Sequence, residues 1–240
     1  MANAYKRILL KVSGEALSGD QSFGIQPEFL AGVAEQIAEV ARSGVQVAIV
    51  TGGGNIFRGM AVAANGGDRV TADMMGTLGT VINALALSGA LVTRGIKSKV
   101  FSATTMPSVA DTYTARAAKA ALEDGYVVVL GGGIGNPFFT TDTAAALRAI
   151  ELECDIVLKG TNVDGVYSAD PKKDPKATRY EQISHEDVIS QNLRVMDTAA
   201  FALARDNNMP IIVYSLDDKE GLSGVLAGRV RSTRVGNPRK

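Results

Sequence analysis

The stretch that decides the fold is YVVVLGGGIGNPFFTTD, which runs from Tyr126 to Asp142. Its first five residues are apolar and mostly β-branched, a pattern typical of a strand buried on both faces of a parallel sheet. The strand ends at consecutive glycines, and the later Thr-Thr-Asp is a helix start before an alanine-rich run. Backbone N–H groups and a positive helix dipole meet at such a turn, which suits an anion. The alternative is a plain tight turn, which needs only one or two glycines and no aromatic side chains.

Length and composition indicate an ordinary globular chain of 240 residues, either one large domain or one domain with a second lobe. Hydrophobic residues make up 46% and charged residues 21%, and the formal net charge is zero. A neutral chain has no general attraction for nucleic acid or for an anionic membrane. Any phosphate binding must therefore be local.

The single cysteine, Cys154, excludes an intrachain disulfide and fits a reducing compartment. The chain enters its first strand without an apolar signal segment, and no apolar run approaches the ~20 residues of a membrane span. We therefore expect a cytoplasmic protein with Cys154 in its core.

Strand-like and helix-like patterns alternate along the chain. The predicted strands cover residues 5–12, 45–50, 99–102, 126–130, 155–159 and 211–215. The predicted helices cover residues 27–44, about 71–94, 112–123, 144–154, 184–192, 196–208 and 221–227. This alternation predicts an α/β fold with a mostly parallel, doubly wound sheet, whose ligands bind beyond the carboxyl ends of the strands. The segment 160–179 is expected to be a surface loop, and the tail to Lys240 a solvated segment.

Three glycine-rich segments follow predicted strands and point to one crevice: residues 11–14, 51–54 and 131–142. Separate loops lined by backbone amides suit several phosphates, and a lysine at a strand end suits the charge between them. The position of Lys11 just before Ser13-Gly14 favours phosphate binding over a solvated lysine. Arg58 can offer a planar fork to phosphate oxygens, although a surface role is equally open from the sequence.

Several familiar sites are absent from the sequence. It has no Gly-Lys-Ser/Thr of a Walker A loop, and Phe57 stands where a dinucleotide fingerprint needs its third glycine. His185 is the only histidine, so neither a histidine-rich metal site nor a serine hydrolase is supported, and we expect it at the surface near a helix start. For the carboxylates, helix capping and a functional role are left equally open. They are Asp73, Asp142, Asp164, Asp170 and Asp197.

Four motifs resemble the bacterial uridylate kinases of the amino acid kinase superfamily. They are KVSGE from Lys11, GGGNIFRG from Gly52, GNPFFTTD from Gly135 and VDGVYSADP from Val163. The resemblance runs from Tyr5 to about Ser215, and the third motif is specific to the uridylate branch. It implies a three-layer αβα sandwich and in-line transfer of the ATP γ-phosphoryl to UMP, a step of pyrimidine nucleotide biosynthesis.

The resemblance also implies residue roles. Lys11 would stabilise the transferring phosphoryl, Arg58 would hold phosphate, and Asp142 and Asp197 would orient the lysine and the metal-bound phosphates. The implied UMP-binding residues are Gly53, Arg58, Asp73, Ile134, Gly135, Asn136, Pro137, Phe138, Phe139, Thr140 and Thr141. The implied ATP-binding residues are Lys11, Val12, Ser13, Gly14, Gly54, Arg58, Thr161, Asn162, Tyr167 and Asp170. Residues 1–154 would form the acceptor lobe and residues 155–240 the ATP-side lobe of a single domain.

The resemblance further implies Mg²⁺ bound to ATP, a homohexamer, activation by GTP and inhibition by UTP. The segment linked to the GTP response is Gly19, Asp20, Gln21, Ser22, Phe23 and Gly24. Two positions depart from the family pattern. Family members often carry threonine where this chain has Ile134, so a side-chain hydrogen bond to uracil is lost here. Many relatives have lysine where this chain has Asn162, which changes the contact on the ATP side.

Two other readings compete with a UMP kinase. A kinase of a small carboxylate or carbamate would use the Gly52 loop equally well, but the Asn136 to Thr141 loop has no cation to hold a substrate carboxylate. A regulatory nucleotide-binding module would need no transfer lysine, so Lys11, Arg58 and Asp142 together argue against it.

Overall fold

The computed structural model describes residues 5–58, 66–161, 163–171, 173–193, 195–216, 218 and 220–236. Within these ranges one nine-stranded sheet forms the middle of the molecule, in the order β4-β3-β5-β2-β1-β6-β8-β9-β7. The strands are β1 Arg7–Val12, β2 Gln46–Thr51, β3 Ser98–Ser102, β4 Asp111–Thr112, β5 Val127–Gly131, β6 Ile156–Thr161, β7 Gln182–Ile183, β8 Ile211–Ser215 and β9 Ser232–Val235. Neighbouring strands are parallel except for β8 and β9, which are antiparallel.

Helices cover both faces of this sheet. Among the described residues they are α1 Glu15–Ser18, α2 Pro27–Arg42, α3 Arg69–Val92, α4 Ala115–Glu123, α5 Thr141–Glu151, α6 His185–Ser190, α7 Thr198–Asp206 and α8 Gly221–Leu226. Side chains alternate along each strand, so Ile8 and Leu10 pack with α2, α3 and α8, while Leu9 packs with α4, α5 and α7. The predicted α/β fold with a mostly parallel sheet is confirmed.

β1 lies at the centre of the sheet, between β2 and β6. The chain moves from β1 to one side through β2 and β5, and then returns to the other side through β6 and β8. Such a change of direction opens a crevice at the carboxyl ends of the central strands. The three glycine-rich segments predicted from the sequence follow β1, β2 and β5, at this edge of the sheet.

The longest helix, α3, is more apolar than the sequence analysis allowed. By its length of 24 residues and its apolar composition, α3 could cross a membrane. Core helices of soluble proteins share these two properties, and α3 packs on β2, β3, β5 and α2. The expectation that no such run exists was wrong, because Gly, Ser and Thr interrupt the apolar run without adding charge.

The end of the chain also differs from the prediction. Residues 232–235, expected to be solvated, form β9, which pairs with β8 and with the short strand β7. Thr233 and Val235 are fully buried there. Burial alternates along Ser232–Val235, but Val235 is the only apolar residue of the four, so the sequence shows no strand pattern there.

Candidate active site

At the centre of the crevice a carboxylate lies between two buried lysines. Lys11 Nζ is 3.0 Å from Asp142 Oδ1, and Lys159 Nζ is 2.6 Å from Asp142 Oδ2. The two lysines are register partners at the carboxyl ends of β1 and β6, and Asp142 stands in the first turn of α5. Parallel pairing therefore places two cations side by side, and the helix start supplies the anion between them.

Ionisation of this cluster follows from its burial and its charges. Burial opposes ionisation of Asp142, but the positive charges of Lys11 and Lys159 outweigh that cost and lower the pKa of the carboxyl. Burial lowers the pKa of Lys159, and the charge of Asp142 offsets this effect only in part. The result is a carboxylate that orients two lysine amino groups toward one point, where they can stabilise negative charge.

Lys159 is the functional residue that sequence reasoning missed. Its ammonium also donates to the Val195 carbonyl, and its side chain is only 11% exposed. It lies in β6, IVLKGT, whose other residues are apolar, small or at the strand end. Strands buried on both faces carry apolar residues, and charged side chains are almost never fully buried. A lysine within such a strand therefore indicates a functional role.

The sequence left the role of Asp197 open between helix capping and a functional role. It caps α7 by accepting a hydrogen bond from the Ala200 N–H at 2.8 Å. It also accepts hydrogen bonds from the hydroxyls of Thr140 and Thr143, at the start of α5. Asp197 therefore ties α7 to the helix that carries Asp142.

The glycine loops after β1 and β2 pack against each other and against α3. A Cβ on Gly14 would overlap Asn55 Oδ1, and one on Gly53 would lie 2.6 Å from the Gly76 carbonyl oxygen. Only glycine fits where two backbones approach this closely. The Gly52 N–H donates to the Val12 carbonyl, while Gly53 and Gly54 line a cavity.

Arg58 lies at the rim of this site. Its guanidinium donates to the Gly54 carbonyl at 3.2 Å and to Glu15 at 3.1 Å, and its side chain is 60% exposed. Glu15 begins α1, directly after the Ser13-Gly14 turn. Arg58 is therefore near both glycine loops, on the exposed side of the site.

The opening stretch of the sequence forms one wall of a cavity of about 290 Å³. Gly53 and Gly54 also line it, as do Asp73 and Thr80 of α3. The residues of the predicted acceptor segment that line it are Ile134, Asn136, Phe138, Phe139, Thr140 and Thr141. Gly135 shapes the turn through its N–H bond to the Gly132 carbonyl at 2.9 Å, and Pro137 lies in the same loop.

Asp73 connects α3 to this loop. It accepts hydrogen bonds from the Phe138 N–H and from the Arg69 guanidinium, each at 2.8 Å. The bond from Arg69 lowers the pKa of Asp73, although burial acts in the opposite direction. Arg69, which the sequence analysis did not select, also lies over the Phe138 ring, 5.4 Å from its centroid.

A second cavity, of about 440 Å³, lies on the other side of β1. Tyr167 and Asp170 line it, and the Tyr167 hydroxyl donates to Asp164 at 2.6 Å. Thr161 ends β6 and holds the next turn through its bonds to Val163. Asn162, also predicted for the ATP side, lies outside the described residues.

His185 is not the surface residue that we expected. It is 4% exposed, and its Nε2 lies 3.0 Å from the Met209 carbonyl oxygen, with the ring against Phe201. Burial lowers its pKa. The helix begins at the predicted place, with Ser184 as the cap of α6, but the histidine that follows turns into the core instead of toward solvent.

The segment 19–24 lies beside the glycine loops and is joined to one of them. Gly24 donates its N–H to the Asn55 carbonyl at 2.8 Å, and its own carbonyl accepts from the Asn55 side chain. Gly19 and Asp20 line a separate cavity of about 550 Å³ between α1 and α2, while Phe23 is 66% exposed.

Comparisons with known proteins agree on one family. The model of the amino acid kinase family matches residues 6–215. A uridylate kinase of Brucella abortus biovar 1 (strain 9-941) is 57% identical over 232 residues, which cover 97% of each chain. A uridylate kinase of Bartonella henselae is 56% identical over 235 residues, which cover 98% of each chain.

Solved structures agree with these sequences. The crystal structure of UMP kinase from Bacillus anthracis superposes with a TM-score of 0.93 at 39% identity, covering 98% of this chain and 97% of that one. UMP kinase from Ureaplasma parvum gives a TM-score of 0.92 at 39% identity, covering 97% and 99%. With the lysine pair, the glycine loops and the two cavities in place, this chain belongs to the amino acid kinase family and, within it, to the uridylate kinases.

Proposed function

We propose that this protein transfers the γ-phosphoryl group of ATP to UMP, forming UDP and ADP in pyrimidine nucleotide biosynthesis. The observation that carries the proposal is the Lys11–Asp142–Lys159 cluster. Asp142 follows Thr141, which lines the first cavity, and Lys159 donates to the carbonyl of Val195, which lines the second. Phosphoryl transfer asks mainly for alignment and for positive charge, which this cluster supplies without a covalent nucleophile.

In the transfer step an oxygen of the UMP phosphate forms a bond to the γ-phosphorus while the bond to the departing ADP oxygen breaks. Charge on the transferring group is greatest between the two nucleotides, where Lys11 and Lys159 converge. Asp142 holds both lysines in place. Asp197 acts on the geometry from farther away, through the start of α5.

The two nucleotides occupy the two cavities in this proposal. UMP would bind in the 290 Å³ cavity through Gly53, Asp73 and residues 134–141, with its phosphate toward Arg58. ATP would bind with its phosphates along residues 11–14, Gly54 and Arg58, and with its base near Thr161, Asn162, Tyr167 and Asp170. Residues 1–154 and 155–240 would then act as the acceptor lobe and the ATP-side lobe.

Mg²⁺ would enter with ATP and neutralise phosphate charge, which lowers the repulsion between the two nucleotides. The donors in the crevice fit a metal carried by the substrate. Both oxygens of Asp142 face lysines, and Asp197 is engaged by two threonine hydroxyls and a backbone amide. The β- and γ-phosphates and water would therefore supply most ligands.

The exposed face of α3 supports assembly into an oligomer, which we propose is a homohexamer. Apolar side chains that are 39–56% exposed repeat along this face at intervals of three, four and seven residues. We call this set the α3 stripe: Met75, Leu78, Ile82, Leu85 and Val92. An uncharged stripe of this kind pairs well with a second copy of itself.

Activation by GTP, inhibition by UTP and a cytoplasmic location are further parts of the proposal. The bonds between Gly24 and Asn55 support a role of residues 19–24 in regulation, because they connect that segment to the glycine loop after β2. Soluble nucleotide substrates and a single buried thiol, Cys154, fit the cytoplasm.

The test is ADP release with Mg-ATP and a panel of UMP, CMP, acetylglutamate and carbamate. We expect turnover with UMP far above that with the other acceptors. Turnover with acetylglutamate or carbamate and none with UMP would move the protein to another branch of its family. Nucleotide binding with no turnover on any acceptor would make it a regulatory module.

A further inference from the structure

Two buried asparagines form a closed amide pair beneath the β2 glycine loop. Asn83 Nδ2 donates to Asn55 Oδ1 at 2.6 Å, and Asn55 Nδ2 donates to Asn83 Oδ1 at 3.2 Å. Asn55 is 1% exposed and Asn83 is 0% exposed. Burying two amides is costly unless their hydrogen bonds are made, so their pairing needs a reason beyond packing.

Each amide has a second N–H, and each of these holds a backbone carbonyl. Asn83 Nδ2 donates to the Gly52 carbonyl at 2.7 Å, at the start of the β2 glycine loop. Asn55 Nδ2 donates to the Gly24 carbonyl at 2.8 Å, at the end of segment 19–24. All four N–H groups of the pair are therefore used.

The pair also touches the other parts of the transfer site. Gly14 approaches Asn55 so closely that a Cβ on it would overlap Asn55 Oδ1. Asn83 belongs to α3, the helix that carries Asp73 toward the acceptor cavity and packs on Gly53. The loop after β1, the loop after β2 and helix α3 thus meet at one pair of side chains.

We propose that the Asn55–Asn83 pair is a positioning element for phosphoryl transfer. It fixes the Gly52 carbonyl and so sets the direction of the Gly53 amide, which in the proposed function faces the phosphates together with the Gly54 amide. The peptide plane of Gly52 and Gly53 joins that carbonyl to the Gly53 N–H, so turning one turns the other. The inference rests on the proposed function, since it assigns these amides to the transferring group.

The choice of asparagine follows from this geometry. A residue at position 83 must donate twice, to Gly52 and to Asn55, and must accept once from Asn55. Of the small side chains only an amide has two donors and an acceptor on one planar group. A leucine would fill the space and release the Gly52 carbonyl.

The test uses two variants of Asn83 in the full-length protein. Asn83→Ser removes the bond to Gly52 without adding charge, and Asn83→Asp places a carboxylate against the Gly52 carbonyl oxygen. We expect kcat to fall at least ~10-fold in both, with the KM of each nucleotide within ~3-fold of native. Such a split is the signature of a group that acts on the transition state.

The matched control is Ser88→Ala, on the same helix. Ser88 is also buried, and its hydroxyl donates to the Ser98 hydroxyl at 2.8 Å, away from the glycine loops. This variant loses a buried hydrogen bond but should keep the native kcat. Urea unfolding of all three variants measures the accompanying loss of stability.

A pH series gives a readout that packing cannot imitate. In the Asn83→Asp variant the new carboxyl group is buried among acceptors, which raises its pKa, and its protonated form can donate to Gly52 again. The kcat of Asn83→Asp relative to native should therefore rise as pH falls from about 8 to about 6, while that of Asn83→Ser stays level.

The outcomes separate this inference from the proposed function. A native kcat in Asn83→Ser, or an equal loss of kcat in Ser88→Ala, would overturn the positioning role. A flat pH ratio in Asn83→Asp would also overturn it. Failure of the native protein to release ADP with UMP would instead count against the proposed function itself.

Discussion

Lys11 and Lys159 reach one carboxylate from adjacent parallel strands, so three charges share one buried position at the sheet edge. Replacing Lys159 by methionine keeps the apolar stem and removes the charge. We expect Lys159→Met to lower kcat at least ~10²-fold with UMP binding largely kept, because the lost charge acts on the transition state. Lys11→Met should behave in the same way. Steady-state kinetics with both nucleotides varied gives the result.

The control for these variants is Lys99→Met. Lys99 lies on β3 with a half-exposed side chain paired to Asp111, so its loss should leave kcat unchanged. A near-native kcat in Lys159→Met would remove that lysine from the mechanism.

His185 predicts a pH dependence of stability. Burial lowers its pKa, the Met209 carbonyl opposes this and the charge of Arg205 adds to it. The unfolded chain takes up a proton below about pH 6.5, while the folded chain does so only at lower pH. The free energy of unfolding is therefore highest above that pH and decreases as the pH falls through the folded pKa.

Urea unfolding at a series of pH values, on native protein and His185→Gln, measures this effect. Glutamine cannot gain a proton, so the variant should lose less stability on acidification than the native chain. Equal slopes in the two proteins would show that His185 does not contribute.

At the residue scale, the sequence indicated which kinds of side chain the site contains better than it indicated where each side chain lies in the fold. Lys11 was found because glycines follow it, whereas Lys159 was missed because its strand looked like pure core. His185 was assigned to the surface because it stands at a helix start, but a helix start does not determine whether its first residue faces the core or solvent.

At the element scale the acceptor loop is held at three points. The Arg148 guanidinium donates to the Gly133 carbonyl at 3.2 Å, Asp73 accepts from the Phe138 N–H, and Thr140 caps α5 while bonding to Asp197. Asp73 is the anchor nearest the middle of the loop. It also faces the cavity, where the ribose hydroxyls of UMP would compete for its carboxylate.

Asp73→Asn should therefore raise the KM for UMP about tenfold and leave the KM for ATP unchanged, because one charged acceptor is lost on the acceptor side only. Asp111→Asn, which breaks an exposed ion pair, serves as the control. An equal change in both Michaelis constants would place Asp73 outside the UMP site.

The α3 stripe makes a prediction about assembly. Leu78→Glu with Ile82→Glu puts two charges into an apolar contact, so we expect the oligomer to dissociate into smaller species. Ala120→Glu, on the exposed side of α4, should leave the assembly intact. Sedimentation velocity distinguishes the species, and an unchanged sedimentation coefficient in the double variant would exclude α3 as a subunit interface.

The helices and strands whose apolar pattern extends over several residues were predictable from the sequence. α2 begins at Pro27, and Gly44 follows its end at φ +88°. The strands β1, β2, β5, β6 and β8 coincide with the predicted runs to within two residues. Short strands such as β4 and β7 depend on pairing partners far away in the sequence, which no local pattern records.

At the scale of the whole molecule, the alternation of strands and helices was enough to predict the mostly parallel sheet and the edge at which the three glycine-rich segments gather. It could not predict which strands become neighbours, so the pairing of β1 with β6 came only from the structure. That pairing is what brings Lys159 to Lys11. The site therefore depends on topology as much as on the motifs that identify the family.

Transfer of labelled phosphate tests the central claim most directly. The native protein, Lys11→Met and Lys159→Met are mixed with Mg²⁺, UMP and ATP labelled in its γ-phosphoryl group, and the label is followed in a single turnover. We predict that the label appears in UDP with the native protein and at least ~10²-fold more slowly with each variant. Label that never reaches UMP, or that reaches it at the native rate without either lysine, would contradict the account.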